Sequence, residues 1–550
     1  MADADRGEQS PAEETDEIAR AQAALTPPPL ASTPAPQKPP AAPRALALDA
    51  LRGLAIVGMC LSGVVPWGGL PSWMYHAQYV PIIGASGAPT LRFDGTHSGY
   101  TWVDLVFPAF LFSMGVAFPF ALSSRLKKGV AMWRVVAGVL GRGAALVAFA
   151  IYVQHIAPFT MMGNPDVTTL LLALLGFFLL FPIFCRFPDS VDPRIVIACR
   201  ALGIGGAIWL MATLRFPQTS SQGVNFSLYR SDIIILVLSN MAVWGSLIWL
   251  ATRGSILWRL GAMGLVVAAL EANKVSGSWV NLLLTPRLPE AWLPWFQEHL
   301  GMKDFAWAYR FDFCKYLLIV LPGTIIGELL MDWMTKPTKP GDHGRGSLPI
   351  GALSAFCVGL VVFAHVGLHA RWTLATPPLL IATMAAGWWW ISRYPVEVKT
   401  DVLLRHLYGW SIFWMILGLI YEPVAGGIKK DPSTMSYYFV STSLSILLLI
   451  SLTIWIDLYQ KQSWFMILIR NGQNPMLAYV AIRNLLAPLV HLPIFGGRAL
   501  ETIAREILAG SLPIESVWRY WRIAIWSFAK TLWLAWVVGL FTRFRIIWRA

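Results

Sequence analysis

The sequence predicts an all-α fold: a polytopic membrane helix bundle of about 14 transmembrane helices (roughly 12–14) behind a disordered cytoplasmic tail. Three observations predict it. The 550 residues are 56% hydrophobic but only 13% charged, whereas a soluble domain carries about 25% charged residues. Apolar runs of roughly 18–23 residues recur, each long enough to cross about 30 Å of hydrocarbon. The 27 tryptophans suit two interfacial aromatic belts. A β-barrel would instead show alternating strands of about ten residues.

Residues 1–43 are acidic at first and then rich in Pro and Ala. Such a segment cannot bury a core, so it is expected to be disordered. It lacks the apolar stretch of a cleaved signal peptide. The spans that follow are expected at roughly 46–66, 101–123, 134–153, 166–185, 195–214, 232–251, 255–272, 313–333, 348–368, 373–392, 406–424, 437–458, 474–496 and 521–541. Short basic connections such as "SSRLKKGVAMWR", "TRGSILWR" and "QKQSWFMILIR" fall on one side of that ladder. The positive-inside rule puts them, and both termini, in the cytoplasm. The segment 67–100 then lies on the outer face.

The net charge of +13 belongs to this topology signal, and no nucleic-acid partner is expected. The five cysteines are scattered; they form neither a disulfide framework nor a zinc pattern, and no metal is expected.

Titratable residues stand out against so apolar a chain. In "ALDALRGLAI", Asp49 and Arg52 share one helical face. They read either as an interfacial ion pair or as a contact for a phosphorylated cosubstrate. In the outer segment, His76 and His97 precede Asp104, which opens the second span. Asp104 suits a helix start as a cap. It also suits an imidazole partner, accepting from Nδ1 and leaving Nε2 as base or nucleophile. Pro108 a few residues later is expected to bend that helix. Asn474, before Pro475 at a helix start, reads as a cap or as a hydrogen-bond donor to the oxyanion of an acyl group.

These motifs carry a resemblance. "ALDALRGLAI", "WMYHAQ" and "GYTWVDLVFPAFLFSMGVAFPFAL" resemble the amino-terminal signature of the heparan-α-glucosaminide N-acetyltransferase family of membrane acyltransferases. The matching positions are Asp49, Arg52-Gly53, His76, Gly99, Thr101, Asp104, Phe107-Pro108 and Gly115, with Gly472 and Asn474 in "NGQNPMLAYV". The chain as a whole is most similar to an uncharacterised bacterial branch of that superfamily, a membrane domain family of unknown function. The resemblance implies that residues 44–550 form a transmembrane acyltransferase-like domain in a bacterial inner membrane. It implies acetyl-CoA as cosubstrate from the cytoplasm, and a carbohydrate or envelope glycan acceptor on the periplasmic side. His76 matches the family's catalytic histidine by its place after aromatic residues, with His97 as the rival by distance to the Gly-x-Thr element. Asp104 is then its orienter, Asp49 and Arg52 serve the donor, and Asn474 serves the acyl group. The family's asparagine in the first helix is absent here, where Ser62 and Gly63 stand.

Other features have more than one reading. "FSLYRSD", with Tyr229, Arg230 and Asp232, and the loop 273–311, with Trp279, Trp292, Trp295 and Trp307, read as glycan contacts or as interface anchors. Arg142 and Arg483 are expected to have buried partners, and Lys530 to snorkel. Membrane lipid is an expected partner, and a homodimer is compatible with the sequence. A multi-span transporter or lipid-linked glycan flippase is the alternative function, since it needs the same spans and intramembrane charges.

Overall fold

The computed structural model describes residues 45–548 apart from 86, 189, 219–222, 286, 301, 336–345 and 514–515. The expected tail, residues 1–43, lies outside the described residues.

The described chain is a multi-pass helical membrane protein. Eleven described helices are long and apolar enough to cross a bilayer. In chain order the helices are α1 (Leu46–Ser62), α2 (Trp102–Lys127), α3 (Met132–His155), α4 (Val167–Phe184), α5 (Pro193–Thr213), α6 (Ile233–Thr252), α7 (Ile256–Asn273), α8 (Leu317–Thr335), α9 (Ile350–His369) and α10 (Thr376–Ser392). They continue with α11 (Lys399–Ala425), α12 (Met435–Leu452), α13 (Met466–Gln473), α14 (Pro475–Ala481), α15 (Leu500–Ala509) and α16 (Val517–Arg543). All fourteen expected spans fall on helices. Three are not among the eleven: α1 and α10 have 17 residues each, rising about 25 Å, and the third, α14, is broken by a π-helical turn at Ile482–Leu486.

Two features were not expected. A hairpin of β1 (Tyr79–Ile83) and β2 (Pro89–Phe93), paired antiparallel, follows α1. So among the described residues the fold is all-α except for this ribbon and isolated bridges. The Pro and Gly residues in 81–89 gave no clean two-residue turn signal, which is why its strands were illegible. The segment expected as a basic connection, "QKQSWFMILIR", ends in α13, which packs along α1. Its short apolar run was too brief to read as a span.

α12 is the inner helix, with nearly every residue buried. It is rich in hydroxyls because small polar residues let helices approach in a membrane. Within α12 the hydroxyls of Thr442 and Ser445 donate back to the carbonyls of Tyr438 and Ser441, at 2.9 and 2.7 Å. Ser443 Oγ pairs instead with Ser411 Oγ of α11 at 2.9 Å. Against α12 and α2 packs α8, where a Cβ on Gly323 or Gly327 would meet backbone oxygens of Phe112 or Val116.

Candidate functional site

The segment between α1 and α2 folds back so that His76 meets the first turn of α2. His76 Nδ1 lies 2.7 Å from Asp104 Oδ1. Asp104 is 1% exposed. Its Oδ2 accepts from the backbone N–H of Thr101 (3.0 Å) and of Ala77 (3.1 Å). Asp104 therefore does both things its position allows: it reaches back to cap the helix, and it holds an imidazole. An ionised carboxylate only accepts, so the proton sits on Nδ1 and the lone pair on Nε2.

The third member of the cluster comes from a distant loop. After α11 the chain turns through Gly426 and Gly427, both with positive φ, and Gly99 N–H donates to Ile428 O at 2.9 Å. This brings Lys430 Nζ to 2.9 Å from His76 Nε2. Burial first, and then the Lys430 charge, hold the His76 imidazole below its ordinary value, against the pull of Asp104. Burial likewise lowers the Lys430 ammonium, opposed by Asp104 and Asp431. Lys430 was not singled out from the sequence. One signal could have found it. "GIKKDP" puts two lysines in a loop that the alternation of spans assigns to the outer side, where the positive-inside rule disfavours them.

His76 and Lys430 line a cavity of about 790 Å³ between the helices, together with Met59, Phe107, Tyr316, Arg483 and others. The π-helical turn Ile482–Leu486 forms part of its wall; such turns often occur at functional sites. Arg310 and Asp312 line this cavity and also a larger neighbouring cleft of about 1240 Å³. That cleft has a mixed lining, in which Tyr229, Tyr309, Asn281 and Arg287 stand beside leucines and phenylalanines. Trp279, Trp292 and Trp295 do not line it, and each is more than half exposed.

His97 is elsewhere. It sits in the turn after β2, where its backbone N–H donates to Asp94 O and its carbonyl accepts from Gln78. Among the described residues its ring makes no hydrogen bond to Asp104 or Lys430. The structure brings together His76 and Asp104 and leaves His97 outside.

Asp49, Arg52 and Asn474 form a second polar group. Arg52 donates to Asp49 Oδ1 (3.3 Å), to Gly472 O (3.2 Å) and to Ser113 O (3.4 Å). Ser113 is nine residues beyond Asp104 on α2, so this group lies about 14 Å deeper along that helix. Its setting is a helix crossing without side chains. A Cβ on Gly53 would fall 1.8 Å from Leu468 O, and one on Gly472 would fall 1.7 Å from Asp49 O. The Arg-Gly and Asn-Gly pairs of the two motifs thus lock α1 to α13. Asn474 is fully buried. Its Nδ2 donates to Ile546 O at 2.8 Å, and its Oδ1 accepts from Trp548 N–H at 3.2 Å. A donor contact there would require the C-terminal segment to move.

The remaining charged residues hold the frame. Arg230 is buried, donates to the carbonyls of Asn225 and Gly223, and stacks 3.5 Å over Phe216. Asp232 caps α6 and accepts from Tyr479 and Arg483. Arg259 makes a bidentate pair with Glu328 at 2.8 and 2.9 Å. Lys530 does not snorkel; its Nζ lies 2.8 Å from Glu501 Oε2. Burial would raise the Glu501 carboxyl, but the bonds from Lys530, Trp526 and Arg505 overcome this and hold it down to about 2.

Fold and site together define a multi-pass helical membrane protein in which a buried aspartate holds a half-buried histidine–lysine pair that lines a cavity among its helices. Residues 44–330 match the model of a family described as a domain of unknown function, DUF5009. The match covers just over half of the chain, and the chain belongs to that family. No curated protein matches it.

Proposed function

We propose that this chain is an integral-membrane acyltransferase of a bacterial inner membrane. On this reading it takes an acetyl group from cytoplasmic acetyl-CoA and delivers it to a carbohydrate or envelope glycan acceptor on the periplasmic side. Both termini are then cytoplasmic. The observation that carries the reading is the His76–Asp104 pair, with His76 lining a cavity and a lysine 2.9 Å from its Nε2. Acyl transfer needs a base or nucleophile and a donor for the oxyanion. The resemblance of the amino-terminal motifs to the heparan-α-glucosaminide N-acetyltransferases supports the same chemistry.

The geometry supports a role for each residue on this reading. Asp104 fixes the tautomer. His76 Nε2 takes the proton of the acceptor amine or hydroxyl as that group attacks the thioester carbonyl. Lys430, which donates to Nε2 at rest, turns from the ring to the carbonyl oxygen as the acceptor's proton takes its place, and offsets the charge that develops there. The C–S bond then breaks, and the departing thiolate takes the proton back from the imidazolium. The cleft that shares Arg310 and Asp312 with the cavity suits a sugar acceptor, whose hydroxyls can bond its amide and charged side chains and whose ring faces can lie on Tyr229 and Tyr309. Asp49 and Arg52 serve the donor side, one helix segment deeper.

The test uses purified protein in detergent, radiolabelled acetyl-CoA and a panel of amino sugars. Wild type and His97→Ala should transfer label, and His76→Ala should not. Loss in His97→Ala alone would overturn the site. No transfer and no acetyl-CoA binding would favour a transporter.

A further inference from the structure

A second cavity adjoins the first along α2, where Val106 lines both. It is a slot of about 870 Å³ bounded by α1, α2 and α9, with Leu54, Gly58, Leu105, Val362 and Val366 among its walls. Its lining is almost wholly apolar. Val362 and Val366 are 56% and 50% exposed, so the slot opens sideways along the outer face of a membrane-spanning helix.

At one end of the slot the surroundings change. Trp73 lines it and is half exposed. Just beyond α9, Trp372 and Leu374 are 54% and 93% exposed. Such residues mark the membrane–water interface. His369 lines this end, with Nε2 3.0 Å from Ser72 Oγ. Arg371 follows two residues later, exposed, with φ of 58°. His97 lies within electrostatic reach of Arg371, His369 and Asp94. The second histidine of the outer segment thus belongs to this end.

We propose that the slot is a phospholipid site: one acyl chain lies along the slot, and the headgroup phosphate meets Arg371 at its mouth. The chemistry is amphipathic in the right order. An apolar trough along a membrane-spanning helix ends at His369 and Ala370, and the exposed Arg371 follows directly in the chain; Arg is well suited to phosphate. The occupant abuts Thr101, whose N–H holds Asp104, but the inference does not rest on the proposed activity.

The test is lipid retention by the full-length protein, read by native mass spectrometry after delipidation and back-titration. Two probes with identical chains are compared, a phospholipid and a diacylglycerol. Wild type should retain the phospholipid at least tenfold more strongly. Val366→Trp, on the lipid-facing wall, should abolish retention of both. Arg371→Asn, which tolerates the left-handed backbone, should bring the phospholipid down to the diacylglycerol level. Unchanged binding in Val366→Trp, or equal retention of the two probes by wild type, would overturn the proposal. Melting of each variant in detergent shows whether it has folded.

Discussion

Lys430 Nζ lies 2.9 Å from His76 Nε2, although 354 residues separate them in the chain. Burial first, and then the charge of the lysine, disfavour a positive charge on the ring. The imidazole is therefore neutral, and ready to take a proton, down to a lower pH than a free histidine. Its base form is lost only as pH falls below about 6.5, the ordinary imidazole value. In Lys430→Met the opposing charge is gone while Asp104 remains, so the imidazole is easier to protonate. The acid limb of kcat/KM should move to higher pH, and the plateau rate should fall about 10²–10³-fold through loss of oxyanion stabilisation. A pH–rate profile of the two proteins checks both. An acid limb that stays in place would remove Lys430 from the mechanism.

Asp104→Asn should leave the helix start largely intact, because the amide oxygen can still accept from Thr101 and Ala77. The amide cannot serve as a full acceptor for Nδ1–H and favours the other tautomer. Transfer should fall by about 10⁴-fold, as for the equivalent change in a serine protease triad. Acetyl-CoA binding measured by calorimetry should be unchanged. A rate within tenfold of wild type would reduce Asp104 to a helix cap.

Gly472→Ala and Gly53→Ala place a methyl within 1.8 Å of a facing backbone oxygen. No side chain can rotate to relieve this, so α1 and α13 must part. Destabilisation should exceed about 3 kcal/mol, the upper end of ordinary overpacking, and should appear as a lowered melting temperature in detergent. Gly129→Ala is a poor control because of its positive φ, whereas Gly141→Ala meets nothing within 4 Å and should be neutral. Equal melting of the Gly472→Ala and Gly141→Ala proteins would contradict the helix crossing.

The sequence was most legible where one residue type had one physical use. Every expected span falls on a helix, because a long apolar run in a chain with few charges has nowhere to go but the bilayer. His76 and Asp104 could be paired because both are costly beside an apolar helix and each satisfies the other. His97 could not be told apart from His76 by spacing alone. The hairpin between them displaces His97 toward Arg371 and returns the chain to α2, and no hydrophobic period announces such a ribbon. The motif asparagine was ambiguous for a related reason. A carboxamide suits an oxyanion or a backbone equally, and only the arrival of Ile546 and Trp548 shows which groups occupy it.

By itself the sequence determined the solvent this protein lives in, the positions of its long apolar helices and the need of Asp104 for a partner, with His76 and His97 as the candidates. These follow from hydropathy and from the cost of leaving a charge unpaired, which are local quantities. Only the tertiary structure decided that Lys430 completes the cluster, that Gly53 and Gly472 meet backbone to backbone, and that Glu501 receives Lys530. Those pairings join segments tens to hundreds of residues apart. They are set by how the helices pack, which a one-dimensional pattern of apolar runs does not encode.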